Sequence, residues 1–266
     1  MSVEGEGTGG GYARVPMPPK VRFEVLTEAW DLLIKQFGVW LVAGLAFVVP
    51  VAVLIGGLSA IMMAQMAALG RMSAGNHDLS AQMLGLQLQF YGISLPAGIL
   101  FSAFDGIIEG GMVRMAFRQM RGESIGISDI FKIGDVFWPL AVIGILQNIA
   151  VQVGSMFCLF PGIILGGLLL LAIPLVTERR MSAMNAIRES VNALKTDLVN
   201  ASLLCFLLSL IVSLGGFVCG IGTAFTFPLM PITMALLYRD FYPREVPPSS
   251  FLSTDPTAPT NPWATN

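Results

Sequence analysis

The chain contains six mostly apolar segments of 15 to 29 residues, and an α-helix needs about 20 such residues to cross a hydrocarbon core of roughly 30 Å. These segments cover residues 37–63, 86–114, 137–157, 162–176, 199–218 and 221–239. Because lipid offers no hydrogen-bond partners to the backbone, a segment of this kind crosses a membrane as a helix. The sequence therefore predicts an all-α integral membrane protein with six transmembrane helices.

The amino-acid composition supports this class and excludes others. Of the 266 residues, 55% are hydrophobic and only 12% are charged, whereas a soluble domain carries about 25% charged residues. The mean hydropathy of +0.74 indicates that most of the surface meets lipid. The formal net charge is -2, and the basic residues form no stripe of the kind that binds phosphates. Membrane lipids are therefore expected partners, and nucleic acid is not.

The lysines and arginines are distributed unevenly between the two sides of the predicted membrane. All but one of the 15 precede the first span, follow the sixth, or lie between the second and third or the fourth and fifth. Only Arg71 lies on the other side. By the positive-inside rule, the side that carries the basic residues is cytoplasmic. Both termini are therefore predicted to be cytoplasmic.

A short amphipathic helix is predicted before the first, third and fifth spans. Apolar side chains recur at helical spacing from Phe23 to Phe37 and from Met181 to Leu198, and a shorter version begins at Ser128. Such helices lie in the membrane interface with their basic side chains near the lipid headgroups. The chain is thus predicted to form three hairpins, each preceded by a cytoplasmic interfacial amphipathic helix. The predicted interfacial anchors are Trp30, Trp40, Trp138, Arg188 and Lys195.

The membrane domain is predicted to occupy residues 21–242, between two tails. Residues 1–20 are rich in glycine and then in proline, and residues 243–266 are rich in proline, serine and threonine. These compositions are typical of flexible linkers and docking peptides. Both tails are therefore predicted to be cytoplasmic and available to other membrane protein subunits.

Two segments carry a resemblance to a known family. The segment AIPLVTERRMSAMNAIRESVNALK, which contains Pro174, Glu178 and Ser190, is followed by a glycine-rich span and then by PITMALLYRDFY. Most of residues 21–242 resembles a bacterial six-span membrane family. That family includes the membrane domain of glycerophosphoryl diester phosphodiesterases and stand-alone proteins of unknown function. The resemblance implies the six-span fold and a bacterial inner-membrane location, and it brings no catalytic residue.

Asp105 and Glu109 are the only acidic residues well inside a predicted span, and their spacing of four residues puts them on one helix face. A charge in lipid costs about 2.5 to 3.5 kcal/mol, so intramembrane carboxylates are candidate functional residues. One interpretation is a proton or cation site. The other is a protonated or hydrogen-bonded residue at a helix contact, facing Gln147 or Asn148. Glu109 has the further alternatives of reaching the headgroups or pairing with Arg114.

Three GxxxG pairs predict close helix packing within the bundle, because glycine lets two helix backbones approach each other. Dimerisation is the alternative interpretation. The pairs are Gly106 with Gly110, Gly162 with Gly166, and Gly216 with Gly220.

The residue types that cofactor chemistry needs are scarce. Cys158, Cys205 and Cys219 lie far apart, and His77 is the only histidine, so zinc, haem and iron–sulfur sites lack ligands. Ser190 and His77 are predicted on opposite sides of the membrane, where they form no nucleophile–base pair. No cofactor, metal or catalytic residue is therefore expected. A disulfide between Cys158 and Cys219 is compatible with an oxidising outer compartment.

The leading functional hypothesis is a non-enzymatic scaffold, accessory or regulatory subunit of a larger inner-membrane assembly. It depends on the absence of catalytic residues, the lipid-facing composition, the interfacial helices and the two tails. The alternative is a small transporter or lipid-handling membrane protein with a polar pathway near Asp105. Helices broken at Pro96, Pro174, Pro228 or Pro231 would favour this alternative, because unwound backbone can bind substrate.

Overall fold

The computed structural model describes residues 20–72, 79–157, 159–217 and 221–243. These residues form α-helices and two short 3-10 helices, with no strand among them, so the predicted all-α class is confirmed. The 3-10 helices are Ile127–Phe131 and Lys195–Asp197. The α-helices are α1 (Glu24–Lys35), α2 (Phe37–Met72), α3 (Leu79–Met120), α4 (Phe137–Phe157), α5 (Leu159–Leu168), α6 (Ala172–Arg179), α7 (Ala183–Leu194), α8 (Leu198–Phe217), α9 (Ile221–Thr226) and α10 (Leu229–Phe241).

Five helical segments are long and apolar enough to cross a membrane. They are Phe37–Ala67, Met83–Met120, Phe137–Met156, Phe160–Arg179 and Ala183–Phe217. The chain thus has the helical segments of a multi-pass membrane protein. The predicted sixth segment is divided into α9 and α10, and each of these is shorter than the roughly 20 residues that one crossing needs.

Two of the predicted spans are interrupted by turns. Residues 169–171 separate α5 from α6, and residues 227–228 separate α9 from α10. Pro174 and Pro231 then occupy the first turn of α6 and of α10, where the missing proline N–H removes no intrahelical hydrogen bond. The long helix α3, by contrast, continues through Pro96.

The helices pack in a closed ring. In order around it, α2 packs against α3, α3 against α4, α4 against α5, α5 against α8, α8 against α9, and α9 against α2. Inside the ring, α6 and α10 pack against α3 and against each other. Phe117 of α3 meets Tyr238 of α10 edge-on, with ring centroids 5.4 Å apart. Most residues of α6 and α10 are buried, so these two short helices form the centre of the hydrophobic core.

One end of the bundle carries the ion pairs of the described residues, and we call it the charged end. It comprises the C-terminal ends of α3, α6 and α10 with α1, α7 and residues 121–136. The buried Asp129 carboxylate accepts hydrogen bonds from Lys132 Nζ at 2.8 Å and from the Gly126 N–H at 2.9 Å, and it lies 2.6 Å from Arg118 Nη1. The hydrogen bond from Lys132 lowers the pKa of Asp129, although burial opposes this effect.

One type of ion pair recurs three times at the charged end. In each case an arginine near the C-terminal end of α3, α6 or α10 pairs with a carboxylate of the helical segment that packs on that helix. The pairs are Arg118–Asp129 at 2.6 Å, Arg179–Glu189 at 3.9 Å and Arg239–Glu28 at 2.7 Å. The third pair joins α10 to α1, so the last described helix is tied to the first.

Helices α2 and α3 are much longer than the others. They contain 36 and 42 residues, which corresponds to about 54 Å and 63 Å at 1.5 Å per residue. Both lengths exceed the roughly 30 Å of a hydrocarbon core. The outer parts of this hairpin expose large apolar side chains, including Met63 at 73% and Leu88 at 63%.

Trp40 is a core residue, and its prediction as an interfacial anchor is wrong because its side chain has no exposed surface. Its indole Nε1 donates a hydrogen bond to Gln119 Oε1 at 2.8 Å, and Gln119 Nε2 donates to the Leu32 carbonyl oxygen at 2.7 Å. This buried network joins α2, α3 and the end of α1. A tryptophan at the start of a span is therefore compatible with two environments that sequence position does not distinguish.

The other predicted anchors are accessible. Trp30 is 40% exposed and Trp138 is 75% exposed, while Arg188 and Lys195 are exposed on and beside α7. Their contact with lipid headgroups stays a prediction. The face of α7 that packs on the bundle consists mostly of small side chains, namely Ala183, Ala186, Ser190 and Leu194.

Candidate functional site

A cavity of about 450 Å³ lies among the helices of the ring. Its wall includes all four residues of the predicted polar site: Asp105 and Glu109 from α3, and Gln147 and Asn148 from α4. The sequence placed these residues in two separate spans without establishing that they meet. The structure brings them together in the wall of one cavity.

A close crossing of α3 and α4 positions these polar side chains. A Cβ atom added at Gly106 would lie 2.5 Å from the Leu140 carbonyl oxygen and 2.7 Å from the Gly144 Cα. Two helix backbones approach this closely only where neither carries a side chain at the crossing. The two carboxylates flank Gly106 in α3, and the two amides lie one turn beyond Gly144 in α4. The glycine crossing therefore brings all four groups to the same cavity.

The two cavity carboxylates have no cationic partner among the described residues. Glu109 is only 5% exposed and Asp105 is half-buried, yet neither forms an ion pair or a hydrogen bond with another described residue. Arg114 pairs instead with Asp135, at 3.1 Å. The alternative in which Glu109 pairs with Arg114 is therefore wrong. Arg118 likewise forms ion pairs at the charged end, with Glu123 and Asp129.

Amide and hydroxyl groups supply the remaining polarity of the cavity. The Gln147 Oε1 atom is buried and accepts no hydrogen bond from any described residue. A buried acceptor without a donor costs about 1–3 kcal/mol, so this atom is available to a donor that enters the cavity. Gln152 and Thr223 also line the wall.

Three phenylalanines also line the cavity. Phe47 stacks on Phe227 with ring centroids 3.7 Å apart and planes within 2°, and its centroid lies 6.2 Å from that of Phe101. Phe227 belongs to the turn between α9 and α10, so the break in the predicted sixth span contributes to the wall. These rings were not predictable from the sequence, because they come from three distant segments and the chain contains 17 phenylalanines.

Ser190 stabilises the other break, between α5 and α6. Its buried hydroxyl donates a hydrogen bond to the Leu168 carbonyl oxygen at 2.6 Å and accepts one from the Leu171 N–H at 3.2 Å. Backbone groups at a helix end lose their intrahelical partners and need others. Ser190 therefore has a structural role in joining α7 to the end of α5.

The predicted glycine pairs differ in their contacts. In the pairs Gly106–Gly110 and Gly162–Gly166, each glycine closely approaches another helix of the same chain. A Cβ added at Gly216 would make only an ordinary contact, at 3.7 Å from Thr223 Oγ1, and Gly220 lies outside the described residues. The close approach falls instead at Gly215, where an added Cβ would lie 2.8 Å from the Gly222 carbonyl oxygen.

Some predictions concern residues whose structure is not described. His77, Cys158 and Cys219 are among them, as are the tails before Lys20 and after residue 243. The question of a Cys158–Cys219 disulfide and the predicted docking role of the tails therefore lie outside the described residues. Cys205 is buried in α8 and is a free thiol.

Comparisons with known proteins were made against family models, curated proteins and solved structures, and none of them matches this chain. The resemblance to the six-span membrane family stays a prediction. Within the described ranges, no group of three histidine, cysteine, aspartate or glutamate side chains could hold a metal ion.

Proposed function

We propose that this chain is a transporter of a small polar solute, with six spans, in the bacterial inner membrane. In this proposal, α5 and α6 together form one interrupted span, and α9 and α10 together form another. The charged end and both termini face the cytoplasm. The observation that carries the proposal is the cavity in which Glu109 is buried without a partner. A purely structural bundle gains nothing from this arrangement, because an unpaired buried carboxylate lowers stability.

The depth of the cavity supports this proposal. Its lining residues in α4 run from Gly144 to Gln152, the middle of a helix of 21 residues. Because α4 has the length of a single crossing, its middle corresponds to the centre of the bilayer. Substrate sites of secondary transporters lie near this plane and are typically built from discontinuous helices. The turn that interrupts α9 and α10 contributes Phe227 to the wall.

The recurring ion pairs support a membrane domain of three hairpins. In this arrangement α1 precedes the hairpin of α2 and α3, residues 127–131 precede that of α4 and α5–α6, and α7 precedes that of α8 and α9–α10. Each arginine pair then joins the second span of one hairpin to the amphipathic segment of the next. Internal repeats with a binding site between them are common among transporters.

Thiol labelling tests whether water reaches the cavity. Asn148→Cys is made in a chain whose three native cysteines are replaced by alanine, and intact and inverted membrane vesicles are treated with membrane-impermeant cationic and anionic methanethiosulfonates. Asn148→Cys should react with at least one reagent from at least one side. The matched control is Ile149→Cys, because Ile149 is the next residue of α4 and is 51% exposed on the outside of the bundle; it should not react. Absence of any reaction at Asn148→Cys would overturn the proposal.

A scaffold or accessory subunit is the second candidate function, and the long hairpin of α2 and α3 favours it. Met62, Met63 and Met66 are more than half exposed on the outer part of α2, and methionine is common at adaptable binding surfaces. Replacing these three residues with serine should leave the labelling of Asn148→Cys unchanged. If the protein is a subunit, the triple variant should migrate at lower mass than the unaltered protein after mild-detergent extraction. Equal migration would count against the scaffold.

A further inference from the structure

We propose that the cavity binds a small organic cation, with its ammonium group between Asp105 and Glu109 and its hydrocarbon part against the phenylalanine rings. This inference rests on the proposed function and names the class of solute. The electrostatics of the cavity wall favour a positively charged solute. Among the described residues, the wall contains two carboxylates and no lysine or arginine, and the arginines nearest along α3 are engaged at the charged end.

A buried carboxylate requires a proton or a cation, because an isolated charge in a low-dielectric site is strongly disfavoured. No lysine or arginine in the described part of the chain pairs with Glu109, which is 5% exposed. A positively charged ligand therefore finds a site whose charge is complementary to its own. Asp105 lies one helical turn from Glu109, so a single ammonium group can contact both side chains.

The aromatic wall distinguishes an organic cation from an inorganic one. The faces of aromatic rings attract ammonium groups and also cover hydrocarbon. The stacked pair Phe47–Phe227 and the neighbouring Phe101 provide such a surface within the same cavity as the carboxylates. Small metal ions need several oxygen ligands close together, and no three acidic or histidine side chains of the described residues converge here.

The amide groups and the size of the cavity further restrict the chemical class of the solute. The buried Gln147 Oε1 has no donor among the described residues, so it can accept a hydrogen bond from an ammonium N–H. A volume of about 450 Å³ falls in the range of small-molecule sites. The solute class is therefore a primary or secondary amine with an apolar portion.

Three probes of the same shape test the role of charge. They are 2-phenylethylammonium, the neutral 2-phenylethanol and the anionic 3-phenylpropanoate. Binding is measured as a saturable rise in the unfolding temperature of the detergent-purified protein and as protection of Asn148→Cys from thiol reagents. The ammonium probe should bind at least tenfold more tightly than the other two. Equal binding of 2-phenylethanol would overturn the inference.

Variants separate a specific site from general partition of amines into detergent. Asp105→Asn with Glu109→Gln should abolish the response to 2-phenylethylammonium, whereas Glu123→Gln should retain it, because Glu123 pairs with Arg118 and Arg121 at the charged end. Phe227→Leu should weaken binding about threefold to tenfold, as expected for loss of a cation–π contact. A full response in the double variant would contradict the inference.

The labelling experiment distinguishes failure of this inference from failure of the proposed function. If Asn148→Cys reacts but 2-phenylethylammonium neither protects it nor binds the unaltered protein, the transporter proposal stands and the organic-cation inference is wrong. Protection by sodium or potassium ions at equal concentration would likewise overturn the inference. If Asn148→Cys does not react at all, the proposed function itself fails.

Discussion

The carboxylates at the charged end have cationic partners, whereas the described residues provide none for the carboxylates of the cavity. At the charged end, Asp129 is 4% exposed and lies close to both Arg118 and Lys132. In the cavity, Glu109 is almost equally buried at 5% but has no cation near it among the described residues. The two carboxylates therefore differ in their cationic partners and not in their burial.

This difference indicates that the charges at the charged end stabilise the fold, whereas the cavity carboxylates are available to bind a ligand. The three recurring arginine pairs tie the C-terminal ends of α3, α6 and α10 to the segments that pack on these helices. They lie at one end of the bundle, where the paired arginines are partly exposed. Asp105 and Glu109 lie beside the middle of α4, and in the proposed membrane arrangement the cost of a charge is highest there. We therefore expect changes at the charged end to affect stability, and changes in the cavity to affect binding.

The largest effect is expected where α3 crosses α4, because this contact forms the wall of the cavity. Gly106→Ala places a Cβ 2.5 Å from the Leu140 carbonyl oxygen, and the backbones must separate to accept it. We expect a loss of about 3 kcal/mol in the free energy of unfolding, together with loss of 2-phenylethylammonium binding. Thermal unfolding in detergent measures the first and the probe titration the second.

Gly98→Ala is the control for this prediction. It lies on the same helix with no atom within 4 Å of an added Cβ, so it should be neutral or stabilise the protein by up to about 1 kcal/mol. Equal stability of Gly106→Ala and Gly98→Ala would show that the two helices do not cross as closely as described.

At the charged end, Asp129→Ala should lower the free energy of unfolding by about 2 kcal/mol. The change removes a hydrogen bond to the Gly126 N–H and leaves Arg118 and Lys132 without this buried partner. The control is Glu123→Ala, because Glu123 also pairs with Arg118 but is 42% exposed; its effect should be clearly smaller than that of Asp129→Ala. Both variants should bind 2-phenylethylammonium normally. Loss of binding in Asp129→Ala at a temperature where it is folded would remove the distinction between the two regions.

The sequence and the structure agree where local spacing decides the outcome. Asp105 and Glu109 share a face because they are four residues apart, and Gln147 and Asn148 were recognisable as rare polar residues in a span. The complete wall of the cavity was not predictable, because it includes Phe227, which comes from a different part of the chain. Contacts between distant segments leave no periodic signal in the sequence.

The misassigned elements have the same origin. Trp40 has the sequence position of an interfacial residue, but Gln119, 79 residues away, provides a buried partner for its indole N–H. The interruption after α5 is stabilised by Ser190, which belongs to a later helix. In both cases a tertiary hydrogen bond decides an outcome that hydropathy leaves open.

Ser190→Ala should cost about 1–2 kcal/mol, because it leaves the Leu168 carbonyl and the Leu171 N–H without their buried partner. Ser182→Ala is the matched control. Ser182 precedes α7 in the N-cap position but makes no side-chain capping hydrogen bond and is exposed, so its effect should stay within about 0.5 kcal/mol. Chemical denaturation in detergent compares the two. If both changes had the same small effect, Ser190 would not be stabilising the turn between α5 and α6.

The charged end should also weaken in acid. Hydrogen bonds from Lys132 and from Arg114 lower the pKa of Asp129 and of Asp135, respectively. A lowered pKa in the folded state contributes stability that is present above the unfolded value of about 3.9 and is lost as the pH falls through the folded value. We expect the unfolding temperature to decrease below about pH 4, by an amount corresponding to about 0.2–1 kcal/mol per partly exposed pair. The decrease should be smaller in Asp129→Ala, and an identical acid dependence would contradict the assignment.

The smallest change in stability is expected inside the cavity, where the carboxylates have no partner among the described residues. Glu109→Gln keeps the shape of the side chain, and no described residue loses a hydrogen bond or an ion pair when the carboxylate is removed. The free energy of unfolding should therefore change by less than about 1 kcal/mol, and any change should be stabilising, because an unpaired buried charge is itself unfavourable. Asp105→Asn should behave in the same way. The measurement is thermal unfolding without added amine, beside Asp129→Ala as the reference for a carboxylate with partners. A loss in Glu109→Gln as large as that in Asp129→Ala would mean that Glu109 is held by a structural partner, and the cavity would then be part of the scaffold of the fold.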